Sequence, residues 1–198
     1  MSMDWNARTH WIFDMDGTLT VPAHDFAAFK RANGLSEDED LLSAAGRMAT
    51  AERAAFMQRI REWELRIAAS STAQEDAVAL LSALTGRGAT CGVLTRNTRD
   101  NALLTLEAAD LMRFFPDEQA ILGRNCATAK PHPAGVNKLL DHWDVRPERA
   151  VMVGDWVHDV AAGHAAGTAT ILVLRHGTPD PSWLPYCSTT ELSLTSFV

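Results

Sequence analysis

The acidic residues Asp14 and Asp16 stand one residue apart directly after the apolar run at residues 11–13, and Gly17 follows them. Other polar side chains lie just after later apolar runs or, in the case of Lys130, shortly before a predicted helix. They are Thr95, Lys130, Asp155 and Asp159. If a fold gathered these groups, they could bind a divalent cation, because Mg2+ prefers oxygen ligands and often binds carboxylates together with a substrate phosphate.

A cluster of carboxylates is costly unless a cation offsets its charge. Two unit charges about 4 Å apart repel by about 4 kcal/mol at an effective dielectric near 20, which is a large share of a domain's stability. Taken alone, Asp16 could belong to a turn, Lys130 could be solvated and Asp155 could cap a helix. Taken together, these residues favour a site for Mg2+ and phosphate.

Hydrophobic periodicity predicts the elements that must position these groups. The predicted strands are residues 9–13, 91–94, 120–122, 150–153 and 170–174, and the helices that alternate with them are 98–110, 133–143 and 156–166. This alternation predicts an α/β fold, with a Rossmann-like and mostly parallel sheet covered by helices on both faces. Ligands of such sheets bind beyond the carboxyl ends of the strands, where the polar residues lie.

Residues 21–71 show helical patterns alone and interrupt the alternation. One helix is predicted at 24–32, and a capping box formed by Ser36 and Glu39 predicts the start of a second. Apolar residues at helical spacing predict a longer third helix from about residue 50. They are Phe56, Ile60, Trp63 and Ile67.

The chain has 198 residues, 46% of them hydrophobic, which is enough for one good-sized core and a small second unit. We predict a small all-helical cap at residues 21–71, inserted after the first strand. We predict that residues 1–20 and 72–198 form the Rossmann-like catalytic core.

Charge and composition bear on the possible partners. The formal net charge is -7 without a basic stripe, which argues against nucleic-acid binding. No segment has the roughly 20 apolar residues that a membrane helix needs, and the first residues lack a secretory signal. The three cysteines form no CxxC pair. We therefore expect a cytoplasmic protein without nucleic-acid or membrane partners.

Four sequence motifs resemble those of the haloacid dehalogenase superfamily, specifically its helical-cap phosphatases of the phosphoglycolate phosphatase and beta-phosphoglucomutase-like kind. They are DMDGTLT at 14–20, LTRN at 94–97, AKPHP at 129–133 and GDWVHDVAAGHAAGT at 154–168. The resemblance covers about residues 9–175. It implies the strand order 3-2-1-4-5 and a cap after the first motif. It also implies a Mg2+-dependent phosphomonoester phosphatase that acts on a small phosphorylated metabolite through an aspartyl-phosphate.

The resemblance also implies a role for each catalytic residue. Asp14 is expected to be the nucleophile, and Asp16 the general acid and base. Thr95 is expected to bind phosphoryl oxygens, and Lys130 to balance the charge between Asp14 and the phosphate.

The same resemblance implies the ligands of the Mg2+ cofactor. Asp14 and Asp155 would bind it through their carboxylates, and Asp16 through its main-chain carbonyl. Asp159 would support the ion directly or through water.

Substrate contacts are less sharply indicated. Arg96 and Asn97 follow Thr95 and are candidates, as is Arg47 in a predicted loop of the cap. Trp156 either packs against the fold or forms a wall of the site. Two histidines that border these segments are interpreted as bystanders; they are His24 and His132.

Alternatives remain open at this point. A phosphomutase of the same superfamily would use the same acids but return the phosphate to its product. A phospho-accepting receiver or a non-catalytic binding module would share the acids without the turnover. The expected partner is a small-molecule phosphate ester, and the expected state is a monomer or small homo-oligomer.

Overall fold

A parallel sheet forms the centre of the computed structural model, which describes residues 4–175 and 178–198. Its strands are β1 (His10–Phe13), β2 (Thr90–Leu94), β3 (Ile121–Leu122), β4 (Ala150–Gly154), β5 (Ala169–Val173) and β6 (Thr189–Glu191). They are arranged in the order β3-β2-β1-β4-β5-β6, and all neighbours are parallel. The predicted fold class is confirmed, with a correction to the strand order, which has a sixth strand at one edge.

Helices connect these strands along the chain, and the last four of them pack against the sheet. They are α1 (Phe26–Ala32), α2 (Leu41–Arg47), α3 (Thr50–Ala68), α4 (Glu75–Gly86), α5 (Arg99–Ala108), α6 (Ala134–His142) and α7 (Val157–Ala165). Short 3-10 helices lie at Met112–Phe114, Glu118–Ala120, Pro147–Arg149, Pro181–Tyr186 and Leu194–Phe197. None of the described helices is both long enough and apolar enough to cross a membrane.

The central strand β1 has both faces buried. Trp11 and Phe13 belong to one hydrophobic cluster, whereas Ile12 between them belongs to another, because successive side chains of a strand point to opposite faces. Trp11 pairs in register with Cys91 of β2 and Val151 of β4. This explains why β1 reads as an uninterrupted apolar run, as is usual for strands covered on both faces.

Helices α1, α2 and α3 lie between β1 and α4 in the chain and share a hydrophobic cluster of their own. Its buried members are Phe29, Leu41, Ala44, Ala45, Phe56 and Ile60, with Trp63 packed against them. The aromatic ring of Phe29 stacks on Trp63 with 4.4 Å between ring centroids. Three of the four residues of the predicted stripe, Phe56, Ile60 and Trp63, therefore pack within these three helices.

The predicted capping box at Ser36 is wrong. Helix α2 begins at Leu41, and its N-cap is Asp40, whose side chain accepts a hydrogen bond from the Ser43 amide at 2.9 Å. Aspartate is as good an N-cap as serine. Leu41 and Ala44, in the first turn of this helix, are buried in the shared cluster.

Candidate active site

The polar residues of the first and second motifs meet at the carboxyl edge of the sheet. Asp14 directly follows β1, and its amide donates to the Val153 carbonyl of β4 at 2.8 Å. Thr95 directly follows β2, and its amide donates to the Leu122 carbonyl of β3 at 3.0 Å. These bonds extend the sheet by one residue, so both side chains are held on backbone that the neighbouring strands fix.

Lys130 connects the nucleophile predicted from the first motif with an acid of the fourth. Its ammonium nitrogen lies 2.5 Å from Asp14 Oδ1 and 2.7 Å from Asp159 Oδ1. The lysine is only 2% exposed, and both acids are buried as well. An ammonium group buried in this way needs such partners, because an unpaired buried charge is strongly unfavourable.

Three carboxylates gather around this lysine. Asp14, Asp155 and Asp159 each offer an oxygen, and these oxygens lie within 4.8 Å of one another. Asp159 is held by the first turn of α7, because its Oδ2 accepts a hydrogen bond from the Trp156 amide at 3.0 Å. The predicted acids of the first and fourth motifs are thus brought together.

Glycine is required beside these carboxylates. Gly17 has a φ of 84°, a conformation that residues with a Cβ rarely adopt. A Cβ at Gly17 would overlap the Asp155 carboxylate, and a Cβ at Gly154 would overlap Asp159. The close approach of backbone to carboxylate therefore explains the glycine that follows Asp16 in the first motif.

One lysine cannot neutralise three carboxylates. Burial raises the pKa of Asp14 to about 7. The negative charges of Asp159 and Asp16 also raise this pKa, whereas the positive charge of Lys130 lowers it. Burial and the charges of Asp14 and Asp159 raise the pKa of Asp155 to about 8. Burial alone would lower the pKa of Lys130. The negative charges of Asp14 and Asp159 outweigh it and raise that pKa, so the lysine remains protonated.

The donor set suits a hard divalent cation. It consists of carboxylate oxygens, which Mg2+ prefers, and it carries excess negative charge that the protein compensates only in part. The residues present therefore fit the cation that the motifs imply.

The Asp16 carboxylate has surroundings of its own. Its Oδ2 accepts a hydrogen bond from Asn97 Nδ2 at 2.9 Å, and Asn97 is held in turn by Asn101 at 3.1 Å. Burial, followed by the negative charge of Glu64, raises the pKa of Asp16 to about 7. Although it lies two residues from Asp14, Asp16 is outside the group of three carboxylates.

His24 is closer to the site than its interpretation as a bystander implied. Its Nδ1 lies 3.5 Å from Asp16 Oδ1, and its ring packs edge-on against Trp63, with centroids 4.9 Å apart. Burial lowers the pKa of His24, although the negative charge of Glu64 acts to raise it. No sequence signal separated this histidine from a surface residue, because the contact depends on how the three inserted helices sit over the sheet.

Ion pairs connect these helices with the sheet edge. Glu64 of α3 accepts hydrogen bonds from Arg124 at 2.7 and 3.0 Å, and both side chains are less than 10% exposed. Arg96 donates to the N-cap Asp40 of α2 at 2.6 Å. Glu64 was missed by sequence reasoning, although a signal existed: it continues the four-residue spacing of Phe56 and Ile60, which places an acid on a buried face.

The remaining candidates lie as follows. Arg47 pairs with Glu39 and its side chain is 62% exposed, so its contact with substrate remains a prediction. Trp156 packs edge-on against Trp183 at 4.7 Å between centroids and is about half exposed. His132 accepts a local hydrogen bond from the Ala134 amide at 3.2 Å.

Comparison with known proteins agrees with the fold and the motifs. The profile of the haloacid dehalogenase-like hydrolase family matches residues 10–167. This chain therefore belongs to the haloacid dehalogenase-like hydrolases and is an enzyme of that family, which confirms the resemblance indicated by the motifs.

Individual relatives extend this similarity over most of the chain. A haloacid dehalogenase-like hydrolase domain-containing protein of Arabidopsis thaliana is 30% identical over 193 residues, covering 89% of this chain and 76% of the relative. The phosphoglycolate phosphatase of Rhodospirillum rubrum is 32% identical over 195 residues, covering 84% and 79%. A crystal structure of a haloacid dehalogenase-like hydrolase from Bacteroides fragilis has a TM-score of 0.78 at 20% identity, over 96% of this chain and 100% of that chain. This last likeness concerns the fold alone.

Proposed function

We propose that this protein is a Mg2+-dependent phosphomonoester phosphatase that acts on a small phosphorylated metabolite through an aspartyl-phosphate. The observation that carries the proposal is the division between its two neighbouring acids. Asp14 is bound to Lys130 at 2.5 Å, whereas Asp16 is bound to Asn97 at 2.9 Å and lies outside the carboxylate cluster. These different partners suit two different roles, a nucleophile beside a cation and a proton donor outside the carboxylate cluster.

Asp14 is suited to attack phosphorus. In the first step a carboxylate oxygen of Asp14 forms a bond to phosphorus while the bond from phosphorus to the ester oxygen breaks. Lys130, which lies between Asp14 and Asp159, offsets negative charge as the phosphoryl group arrives. The Thr95 hydroxyl at the start of the α5 connection is proposed to bind a phosphoryl oxygen, with Arg96 and Asn97 as further substrate contacts.

Asp16 is suited to move protons. The protonated acid donates its proton to the leaving ester oxygen, and the resulting carboxylate then accepts a proton from the water that attacks the aspartyl-phosphate. Hydrolysis releases inorganic phosphate and restores Asp14. A pKa of about 7 allows Asp16 to exist in both protonation states near neutral pH.

Asp14 and Asp155 would hold Mg2+ through their carboxylates and Asp16 through its main-chain carbonyl, and Asp159 would support the ion directly or through water. When bound, the ion supplies positive charge that stabilises the phosphoryl oxygens in the transition state. The gathered oxygens and the raised pKa values of Asp14 and Asp155 support this assignment.

A phosphatase is favoured over a mutase by the relative from Rhodospirillum rubrum, which bears the name phosphoglycolate phosphatase and aligns over most of both chains. The net charge of -7 favours a small phosphate ester over a nucleic acid. We place the enzyme in the cytoplasm, as a monomer or small homo-oligomer.

The deciding experiment is a phosphate-release screen over phosphorylated metabolites, with and without Mg2+. We expect turnover that chelation abolishes and that Asp14→Asn also abolishes, because the amide is a poor nucleophile. Asp141→Asn is the matched control, since this aspartate is exposed on α6, and it should keep full activity.

Three other outcomes would contradict the proposal. Full activity of Asp14→Asn would show that Asp14 is not the nucleophile. Conversion of a sugar phosphate into its isomer without phosphate release would indicate a mutase. A long-lived aspartyl-phosphate without turnover would indicate a receiver.

A further inference from the structure

We propose that Arg175 is a positioning residue for the Asp16 turn and acts through the main chain of Gly17 and Thr18. The proposal rests on the proposed function, because Asp16 is taken as the acid and base of the phosphatase reaction. Arg175 lies outside the residues implied by the four motifs and follows the end of β5.

The Arg175 guanidinium binds the chain directly after Asp16. Its Nε donates to the Gly17 carbonyl at 2.9 Å, and its Nη2 donates to the Thr18 carbonyl at 2.9 Å. The third nitrogen, Nη1, donates to Asp76 Oδ2 at 2.7 Å. Each nitrogen of the planar group therefore has an acceptor in a different direction.

The turn that Arg175 holds has little freedom on its other sides. The Gly17 amide donates to the Thr20 carbonyl at 2.9 Å, and the amides of Leu19 and Thr20 both donate to Met15. Gly17 also lies against the Asp155 carboxylate so closely that a Cβ would overlap it. Movement of the turn would therefore displace Asp16 and Asp155 together.

The anchor of Arg175 is itself fixed to the core. Asp76 Oδ2 also accepts hydrogen bonds from the Ser193 hydroxyl at 3.1 Å and the Leu194 amide at 2.9 Å. Leu194 is completely buried. The guanidinium thus connects the active-site turn with the first turn of α4 and with the chain that follows β6.

The chemistry of the contact requires arginine. A guanidinium presents its donors in a rigid planar fork, whereas the ammonium of lysine is a single point on a flexible stem. Lysine could retain the charge opposite Asp76 but could not bind both carbonyls and the carboxylate in this geometry. Arg175→Lys therefore separates positioning from charge.

The test compares the kinetics of Arg175→Lys and Arg175→Met with those of the wild-type enzyme on its best substrate. A misplaced proton donor stabilises the transition state less, so we expect kcat to fall roughly 10- to 100-fold. The KM should change by less than about twofold. Arg87→Met is the matched control. Arg87 donates a hydrogen bond to Asn6 and precedes β2, so it lies at the amino ends of the strands, away from the active site. Replacement of Arg87 should leave kcat unchanged.

Two further measurements separate positioning from a general loss of structure. Added guanidinium should restore part of the kcat of Arg175→Ala, because it can occupy the vacated place between the carbonyls and Asp76. Hydrogen exchange should become faster in the peptide of residues 11–20 in Arg175→Lys, while the midpoint of thermal unfolding changes little.

An unchanged kcat in Arg175→Lys and Arg175→Met would overturn the proposal. A loss of kcat that matches the loss of folded protein, without rescue by guanidinium, would also overturn it. If the Arg175 variants do not fold, Asp76→Asn decides, because it keeps the guanidinium but weakens its anchor, and a normal kcat would then refute the role. Failure of the proposed function differs from all of these, since the wild-type enzyme would then release no phosphate.

Discussion

At the scale of single residues, the proposed chemistry depends on two acids that share one short turn but have different surroundings. Asp14 contacts Lys130, and Asp16 contacts Asn97 and lies near His24. Burial raises the pKa of both acids to about 7 in the protein without metal. We therefore attribute the proposed difference in role to the partners of each carboxylate and to its place inside or outside the carboxylate cluster.

Replacement of Asp16 tests this division of roles. Asp16→Asn should slow alkyl phosphate turnover by roughly 100- to 10,000-fold, the usual contribution of general acid-base catalysis. With p-nitrophenyl phosphate, whose leaving group needs no proton, we expect a burst of nitrophenol close to one equivalent per enzyme, followed by slow hydrolysis of the aspartyl-phosphate. Rapid mixing with absorbance detection measures the burst.

The exposed aspartate on α6 provides the control for this variant, since Asp141→Asn should show wild-type steady-state turnover. Alkyl phosphate hydrolysis by Asp16→Asn at the wild-type rate would show that another group transfers the proton.

At the scale of elements, buried charges connect α3 with the sheet edge. Glu64 and Arg124 form a two-pronged pair in which both side chains are nearly inaccessible. Arg124 also donates to the Arg96 carbonyl at 2.8 Å, so the pair touches the loop that carries Thr95 and Asn97. The inserted helices are thereby coupled to the residues proposed to bind phosphate.

This coupling predicts strong non-additivity between the two partners. Glu64→Met or Arg124→Met alone leaves one buried charge unpaired and should destabilise the protein by roughly 3–5 kcal/mol, whereas the double variant should cost much less than the sum. Urea unfolding of the four proteins gives the interaction free energy.

The exposed pair of Arg31 and Glu37, with side chains 62% and 71% accessible, provides the comparison. Its interaction free energy should be about 0.2–1 kcal/mol. Equal values for the two pairs would refute the buried coupling.

At the scale of the whole molecule, the folded state gathers charge that the unfolded chain keeps apart. The pKa of Asp14 is about 7 and that of Asp155 about 8, chiefly because of burial, whereas an unfolded aspartate has a pKa of about 3.9. Between these values the folded protein binds more protons than the unfolded chain. The free energy of unfolding without metal should therefore decrease as pH rises from about 4 to about 8.

Mg2+ should reverse this loss, because it competes with protons for the same carboxylates. We expect the Mg2+-induced rise in the midpoint of thermal unfolding to be larger at pH 8 than at pH 6. At a free Mg2+ concentration of 100 times Kd, the stabilisation should be about 2.7 kcal/mol. Scanning calorimetry at both pH values measures it.

Asp155→Asn should remove most of the Mg2+ effect, and Asp141→Asn should leave it unchanged. A rise of equal size at both pH values would contradict the assignment of the carboxylates as ligands.

The sequence by itself determined the fold class, the family and the types of residue at the strand ends. Alternating apolar runs and helical patterns allow few arrangements other than a parallel sheet, and such a sheet brings its strand ends to one edge. The sequence did not indicate β6, because the residues Thr189–Glu191 contain no apolar run and are only partly buried. Hydrophobic periodicity therefore cannot predict such an edge strand.

Only the tertiary structure decided which of these residues touch. Asp14 and Lys130 are 116 positions apart in the chain, and Arg175 is 158 positions from Gly17. Nor does periodicity relate Glu64 to Arg124, because it describes one element at a time. Contacts of this kind arise from the packing of separate elements against each other, so they exist only once the whole chain has folded.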